Sequence, residues 1–287
     1  MGGQHSGRTQ HRLTNGIRSY RTTGMLPTTQ IAGLAVTRLI LGGNPFSGFS
    51  HQGRERDEAM LNYYTTERLK ETLRRAEAAG INTVIMRSDL HVHRLLREYY
   101  NEGGTLQWIA QVGADSGLDT MIRAFDATVA AGAKAIYIHG GAVDQAYADQ
   151  QSKPLQEWLE YVRSCGIPAG VAGHAPEAHR WVDSLGIADF HAVCFYNCGR
   201  LHRGGGDKFD PADPPRATEA IIRIARPCIG YKILGAGKVD ARRGFEFAFA
   251  HIKPGDAVNV GMYRGDRDTM VEENAAMVRE ILTSRSA

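Results

Sequence analysis

The sequence predicts an α/β fold, a closed (β/α)8 TIM barrel with an N-terminal β-hairpin at the barrel bottom, and three observations predict it. Four times a helical stretch ending at Gly is followed by a short β-rich run, in AEAAGINTVIM, VAAGAKAIYIH, VRSCGIPAGVAGH and DSLGIADFHAVCFYN. Gly80, Gly132, Gly166 and Gly186 can take the left-handed conformation that closes a helix, where other residues meet a Cβ clash. The runs after them are almost continuously apolar, as in parallel strands covered on both faces. Finally, tracing this pattern gives eight strands, the number that closes a barrel around a filled interior.

The elements follow in order. Residues 1–24, MGGQHSGRTQHRLTNGIRSYRTTG, are polar and Gly-rich and read as a disordered basic leader, with the barrel over 25–287. MLPTTQIAGLAVTRL has turn residues between two brief apolar runs, which predicts a hairpin over 26–35 plugging the bottom. Strands are expected at 38–42, 83–87, 107–113, 135–139, 167–173, 190–197, 228–234 and 257–262. Helices lie between them: Leu69, Leu73 and Ala76 share one face, as do Leu118, Met121, Ile122 and Phe125, and Met270, Met277, Val278 and Ile281. The irregular stretch 198–215 follows the sixth strand and is a candidate substrate loop or lid.

The 287 residues fit one large domain. With 43% hydrophobic and 23% charged residues the chain reads as globular, and its apolar runs are too short for a membrane span. The net charge of +3 includes four Arg and no acid in the first 24 residues, leaving about −1 on the rest. That gives no basic face for nucleic acid, so the expected partner is a small molecule. Cys165, Cys194, Cys198 and Cys228 are dispersed and no secretory segment precedes them, which points to reduced thiols in a cytoplasm. Cys194 reads as core, and Cys198 as a candidate reactive thiol.

Four stretches resemble the aldo-keto reductase family: LPTTQIAGLAVTRLILGGNPFSG, RRAEAAGIN, GVAGHAPEAHRWVDSLGIADFHAVCFYN, and CIGYKILGAGKV with VNVGMYRGDRDTMVEEN. The resemblance runs over almost all of residues 26–282, and these stretches carry it. The resemblance implies the barrel with its bottom hairpin. It also implies an Asp, Tyr, Lys and His that protonate a carbonyl while NADP(H) delivers hydride. Carried over by position, the Asp falls at Ile85, the Tyr at about Leu90 and the Lys at Gln111, and only the His remains, as His139. The Ser-Asn pair that would hold the nicotinamide carboxamide falls at Ala172 and Gly173, and a sixth-strand Gln at Val193. Arg264, Arg267 and Asn274 fall where that family grips the adenosine phosphate.

Active-site residues of a parallel barrel come from the C-terminal ends of its strands. There the sequence offers Asn44 and His51, then Arg87, Asp89, His91 and His93, then Gln111, His139, His174, Asn197, Lys232, Tyr263 and Arg264. His139, His174, Asp89 and Lys232 are the catalytic candidates. Asn44, Arg87, His91, Gln111, Asn197 and Tyr263 would bind substrate. Imidazoles with a carboxylate suit Zn, Mn or Fe, so His139, His174, Asp89 and His91 are also the candidate ligands of a divalent metal. In DLHVHRLL polar and apolar residues alternate as in a continued strand. His51, His93, His179, His191 and His202 read as solvated or structural. A lysine such as Lys232, desolvated in the barrel, can act as base, form a Schiff base or bind an anion.

The residues therefore support three function classes. One is a non-redox lyase, isomerase or hydrolase, with or without a metal, acting on a small polyhydroxylated or carbonyl substrate such as a sugar derivative. The second is a divergent NADP(H)-dependent oxidoreductase, and the third a non-catalytic binding protein on a barrel scaffold.

Overall fold

A computed structural model describes residues 24–113, 120–196 and 209–286. A hairpin of β1 (Thr28–Ile31) and β2 (Leu34–Thr37) leads into β3 (Leu39–Gly42), the first barrel strand. Then come α1 (Arg54–Tyr63), α2 (Thr66–Ala78), β4 (Thr83–Arg87), α3 (Leu90–Asn101), β5 (Gln107–Val112) and α4 (Met121–Ala130). The second half holds β6 (Ala135–Ile138), α5 (Gly140–Ala148), α6 (Lys153–Ser164), β7 (Ala169–Gly173), α7 (Pro176–Leu185) and β8 (Phe190–Cys194). It ends with α8 (Asp213–Arg223), β9 (Cys228–Tyr231), α9 (Ala241–His251), β10 (Ala257–Gly261) and α10 (Met270–Ser286). The parallel strands close in the order β10-β3-β4-β5-β6-β7-β8-β9.

Side chains alternate across a strand, and the barrel sorts them into two cores. Leu39, Leu41, Val84, Met86 and Trp108 face the helices, while Ile40, Ile85, Ile109, Tyr137 and Ile229 fill the interior. The hairpin adds Ile31 and Val36 to that interior cluster. It is tied to the strand starts by Thr37 N donating to Asn82 Oδ1 (2.7 Å) and Gln107 Nε2 donating to Ala35 O (2.8 Å). The expected plug is thus present, two residues later than its sequence bounds.

Gly80, Gly132, Gly166 and Gly186 have φ of 89°, 99°, 82° and 67°, as the helix-closing reading requires. The strand ends differ where the backbone turns. The seventh barrel strand stops at Tyr231 instead of 234, because Lys232 adopts φ 57° and Gly235, Ala236 and Gly237 follow at 54°, 56° and 86°. The sixth ends at Cys194, and the fifth begins at Ala169. DLHVHRLL is the start of α3 and not a strand extension, since Asp89 accepts the Val92 N–H at 2.9 Å and caps the helix. The leader up to residue 23, Asn197, Cys198 and His202, and most of the expected 198–215 loop lie outside the described residues. Among those described, no helix is long and apolar enough to cross a membrane.

Between β8 and α7 lies a fully buried histidine pair, His179 Nδ1 and His191 Nδ1, 3.1 Å apart. His179 Nε2 donates to Gly173 O (3.2 Å), so one neutral ring donates to the other through Nδ1. Burial lowers the His179 pKa to about 4, and burial with the neighbouring His179 takes His191 well below 6.5. The unfolded chain therefore binds more protons below pH 6.5, and stability is lost as pH falls from there towards 4. The expected slope is about 1 kcal/mol per pH unit for each histidine. Urea midpoints at pH 7 and pH 5 check this; equal midpoints would contradict it.

Candidate active site

Parity along the strands decides which side chains reach the mouth. Ile85, Ile109, Tyr137, Ala172, Ile229 and Ala257 point into the barrel. Two residues further on, the same inner face carries Arg87, Gln111, His139, His174, Tyr231 and Asn259, all but Asn259 near, at or just beyond the C-terminal end of a strand. All six line one cavity of about 1000 Å³.

His139 and His174 share this wall with opposite polarity. At the start of α5, the Gly141 N–H donates to His139 Nδ1 at 3.2 Å, so the proton of the neutral ring is on Nε2. His174 Nδ1 lies 2.8 Å from Asp144 Oδ2, so that nitrogen carries the proton and Nε2 is the acceptor. Asp144, buried on α5, is itself fixed: its Oδ1 accepts the backbone N–H groups of His174 (3.1 Å) and Ala175 (3.2 Å). One imidazole thus presents a donor and its neighbour an acceptor.

The remaining wall is polar but largely braced. Tyr137 donates its hydroxyl to Gln111 Oε1 at 3.0 Å, and burial raises its pKa, keeping it a neutral phenol. Tyr231 donates to Gly173 O at 3.1 Å. Arg87 Nε lies 2.9 Å from Asp89 Oδ2, and its guanidinium sits over the Phe49 ring, 5.4 Å from the centroid. Asn44 Nδ2 is 3.4 Å from His51 Nε2, and both side chains line the cavity. Lys232 lines it as well, its ammonium 5.9 Å from the Tyr231 ring.

The structure does not bring the four candidate metal ligands together. Asp89 caps α3, His91 is exposed on that helix, and neither lines the cavity with His139 and His174. Among the described residues no group of three or more His, Cys, Asp or Glu could hold a metal ion. His93 is held by Ser88 Oγ at 2.7 Å. Sequence reasoning missed Asp144, Tyr137 and Asn259. Tyr137 and Asn259 were signalled by their inward parity, whereas Asp144 meets His174 only through the fold.

A second cavity of about 370 Å³ opens from the first, sharing Asn44, Lys232 and Asn259 and running to Arg267 and Asn274 at the start of α10. Asn274 is buried, and its Oδ1 has no hydrogen-bond partner. Tyr263 lines this groove, with its hydroxyl on Ala59 O (3.1 Å). Arg264 does not line it. That residue is buried and donates to Thr72 Oγ1 (3.0 Å), Glu71 Oε1 (2.9 Å) and Asp268 Oδ1 (2.5 Å).

Two solved structures described as a candidate aldo-keto reductase from Pseudomonas aeruginosa are similar to the chain. Their identities are 19% and 18% and their TM-scores 0.62 and 0.63; each match covers 94% of this chain and 99% of that one. The chain has an aldo-keto reductase-like barrel fold. A chain of the BexX/CysO complex of Amycolatopsis orientalis is similar at 17% identity and a TM-score of 0.51, covering 90% of this chain and 93% of that one. No protein-family model and no curated protein matches the sequence. At these identities the likeness is one of fold, and the reaction has to be argued from the site.

The positions to which the sequence resemblance carries the reductase residues hold other side chains. Ile85 lines the cavity, Leu90 is exposed at the start of α3, and Gln111 holds Tyr137. Ala172, which lines the cavity, presents no polar side chain there. The far groove carries Arg267 and the buried Asn274.

Proposed function

We propose that the protein is a non-redox acid–base enzyme of the isomerase or lyase type, moving a proton beside the carbonyl of a small polyhydroxylated substrate such as a sugar derivative. The observation that carries this reading is the opposed polarity of His139 and His174 on one cavity wall. His174 Nε2 takes the proton from the carbon next to the carbonyl, and Asp144 steadies the imidazolium that results. His139 Nε2–H donates to the carbonyl oxygen as charge builds on it. The enediol then collapses by the reverse transfers, onto the same carbon or its neighbour. The rings follow the adjacent strands β6 and β7 and line the same cavity, so one substrate can meet both.

Incubation in D2O with a panel of aldoses, ketoses, their phosphates and 2-oxo acids tests the reading. Deuterium should enter at one carbon beside the carbonyl, without added nucleotide. Reduction dependent on NADPH, with no exchange, would sink it.

A second reading, an NADP(H)-dependent oxidoreductase, draws on the groove that reaches from the mouth to Arg267 and to the unpartnered Asn274 Oδ1. There His139 or Lys232, both on the cavity wall, would be the proton donor. NADPH titration followed by protein fluorescence separates the two: saturable binding favours this reading, and none at millimolar nucleotide removes it.

A further inference from the structure

We infer that Gln111 selects the substrate: Tyr137 fixes its side-chain amide so that the Nε2 protons are offered to the cavity, where they bind a hydroxyl oxygen beside the reacting carbonyl. This rests on the acid–base reading of the same cavity and names the group its substrate must carry.

The first argument is polarity. An amide can turn either its oxygen or its nitrogen towards a neighbour, and the neighbour decides which. The Tyr137 hydroxyl lies 3.0 Å from Gln111 Oε1, and Tyr137 is 4% exposed. Burial raises the Tyr137 pKa, so the phenol keeps its proton. Among the described residues that hydroxyl has no other partner. With the amide turned over, a buried phenol proton would be left unpaired, which folded interiors avoid. Gln111 therefore takes the Tyr137 proton on its oxygen and keeps both Nε2 protons for another acceptor.

The second is position. Gln111 and Tyr137 are paired in register across β5 and β6, and His139 follows Tyr137 by two residues on the same inner face. All three line the cavity, with Gln111 and Tyr137 one layer deeper than His139. Gln111 is partly exposed. Its Nε2 makes no hydrogen bond to a described residue, and it is not one of the unpartnered side-chain atoms closed off from solvent. An oriented donor thus stands open at the cavity floor.

The third is complementarity. Amide protons call for an oxygen acceptor, and in the acid–base reading the carbonyl oxygen is met by His139 Nε2–H. The acceptor left for Gln111 is a hydroxyl oxygen elsewhere on the same molecule. A carbonyl compound without that hydroxyl leaves the amide facing an apolar group, so the site favours hydroxy-carbonyl compounds over simple ketones.

Two ketones test this by NMR: dihydroxyacetone, with a hydroxyl on each carbon beside the carbonyl, and acetone, with none. The signal followed is the Gln111 side-chain NH2 pair, assigned through bonds to its own Cγ. Dihydroxyacetone should shift that pair saturably in the wild type, and acetone should leave it in place. Tyr137→Phe frees the amide to turn and should weaken dihydroxyacetone binding about fivefold. Gln111→Glu keeps the acceptor for Tyr137 but has no donor, and should weaken it about tenfold or more. An unshifted pair at saturating dihydroxyacetone, an equal shift with acetone, or no saturable binding of dihydroxyacetone overturns the inference, whether or not either variant folds. The shift needs no turnover. A shifted pair without any deuterium exchange would sink the acid–base reading and leave this inference standing, and exchange with an unshifted pair would do the reverse.

Discussion

His174→Ala is expected to lower deuterium exchange by about 10²–10⁴-fold while the protein stays folded, because it removes the base and leaves the carbonyl site intact. His139→Ala should cost a comparable factor through loss of the proton donor. Asp144→Asn is the more telling variant. Its amide oxygen is claimed by the backbone N–H groups of His174 and Ala175, which leaves the NH2 facing His174 Nδ1. The ring must then accept at Nδ1 and carry its proton on Nε2, turning the base into a donor. Exchange should fall about as far as in His174→Ala. Activity retained in Asp144→Asn would show that His174 polarity is not what drives the reaction.

Arg264→Ala is expected to destabilise the fold by about 2–4 kcal/mol, seen as a lower urea midpoint. Arg264 is 4% exposed and joins Thr72 and Glu71 of α2 to Asp268 before α10. Arg75 extends the network to Asp268 (2.9 Å) and Glu272 (2.6 Å). Half-exposed Glu71 and exposed Asp268 remain partly solvated when the arginine is lost, which keeps the loss below that of a fully buried pair. Arg267, 53% exposed beside Glu273, should cost no more than about 0.5 kcal/mol when replaced by Ala. If Arg264 served mainly to grip a nucleotide, its loss would instead weaken NADPH binding and leave the urea midpoint unchanged.

These two variants show how unevenly the sequence revealed the molecule. The barrel was legible because its signals are local: helix-closing glycines, apolar strands and a hairpin before the first of them. The inward residues at the mouth followed from the same parity, so His139, His174, Gln111 and Arg87 were found together. Asp89 and His91 were drawn into the site because D-L-H-V-H alternates like a strand. The spacing of Val92, Leu95, Leu96 and Tyr99 is helical, and it is that face which α3 buries. Asp144 could not be read, since it acts 30 residues away through a contact only the closed barrel creates. Arg264 looked like a phosphate ligand by position, but its burial against α2 is a tertiary fact.

The most direct test of the central claim is the tautomeric state of the two cavity histidines, read from long-range ¹H–¹⁵N couplings at a pH where both are neutral. His174 should carry its proton on Nδ1 and His139 on Nε2, with His174 switching to Nε2 in Asp144→Asn. The same tautomer in both rings of the wild-type protein would contradict the account.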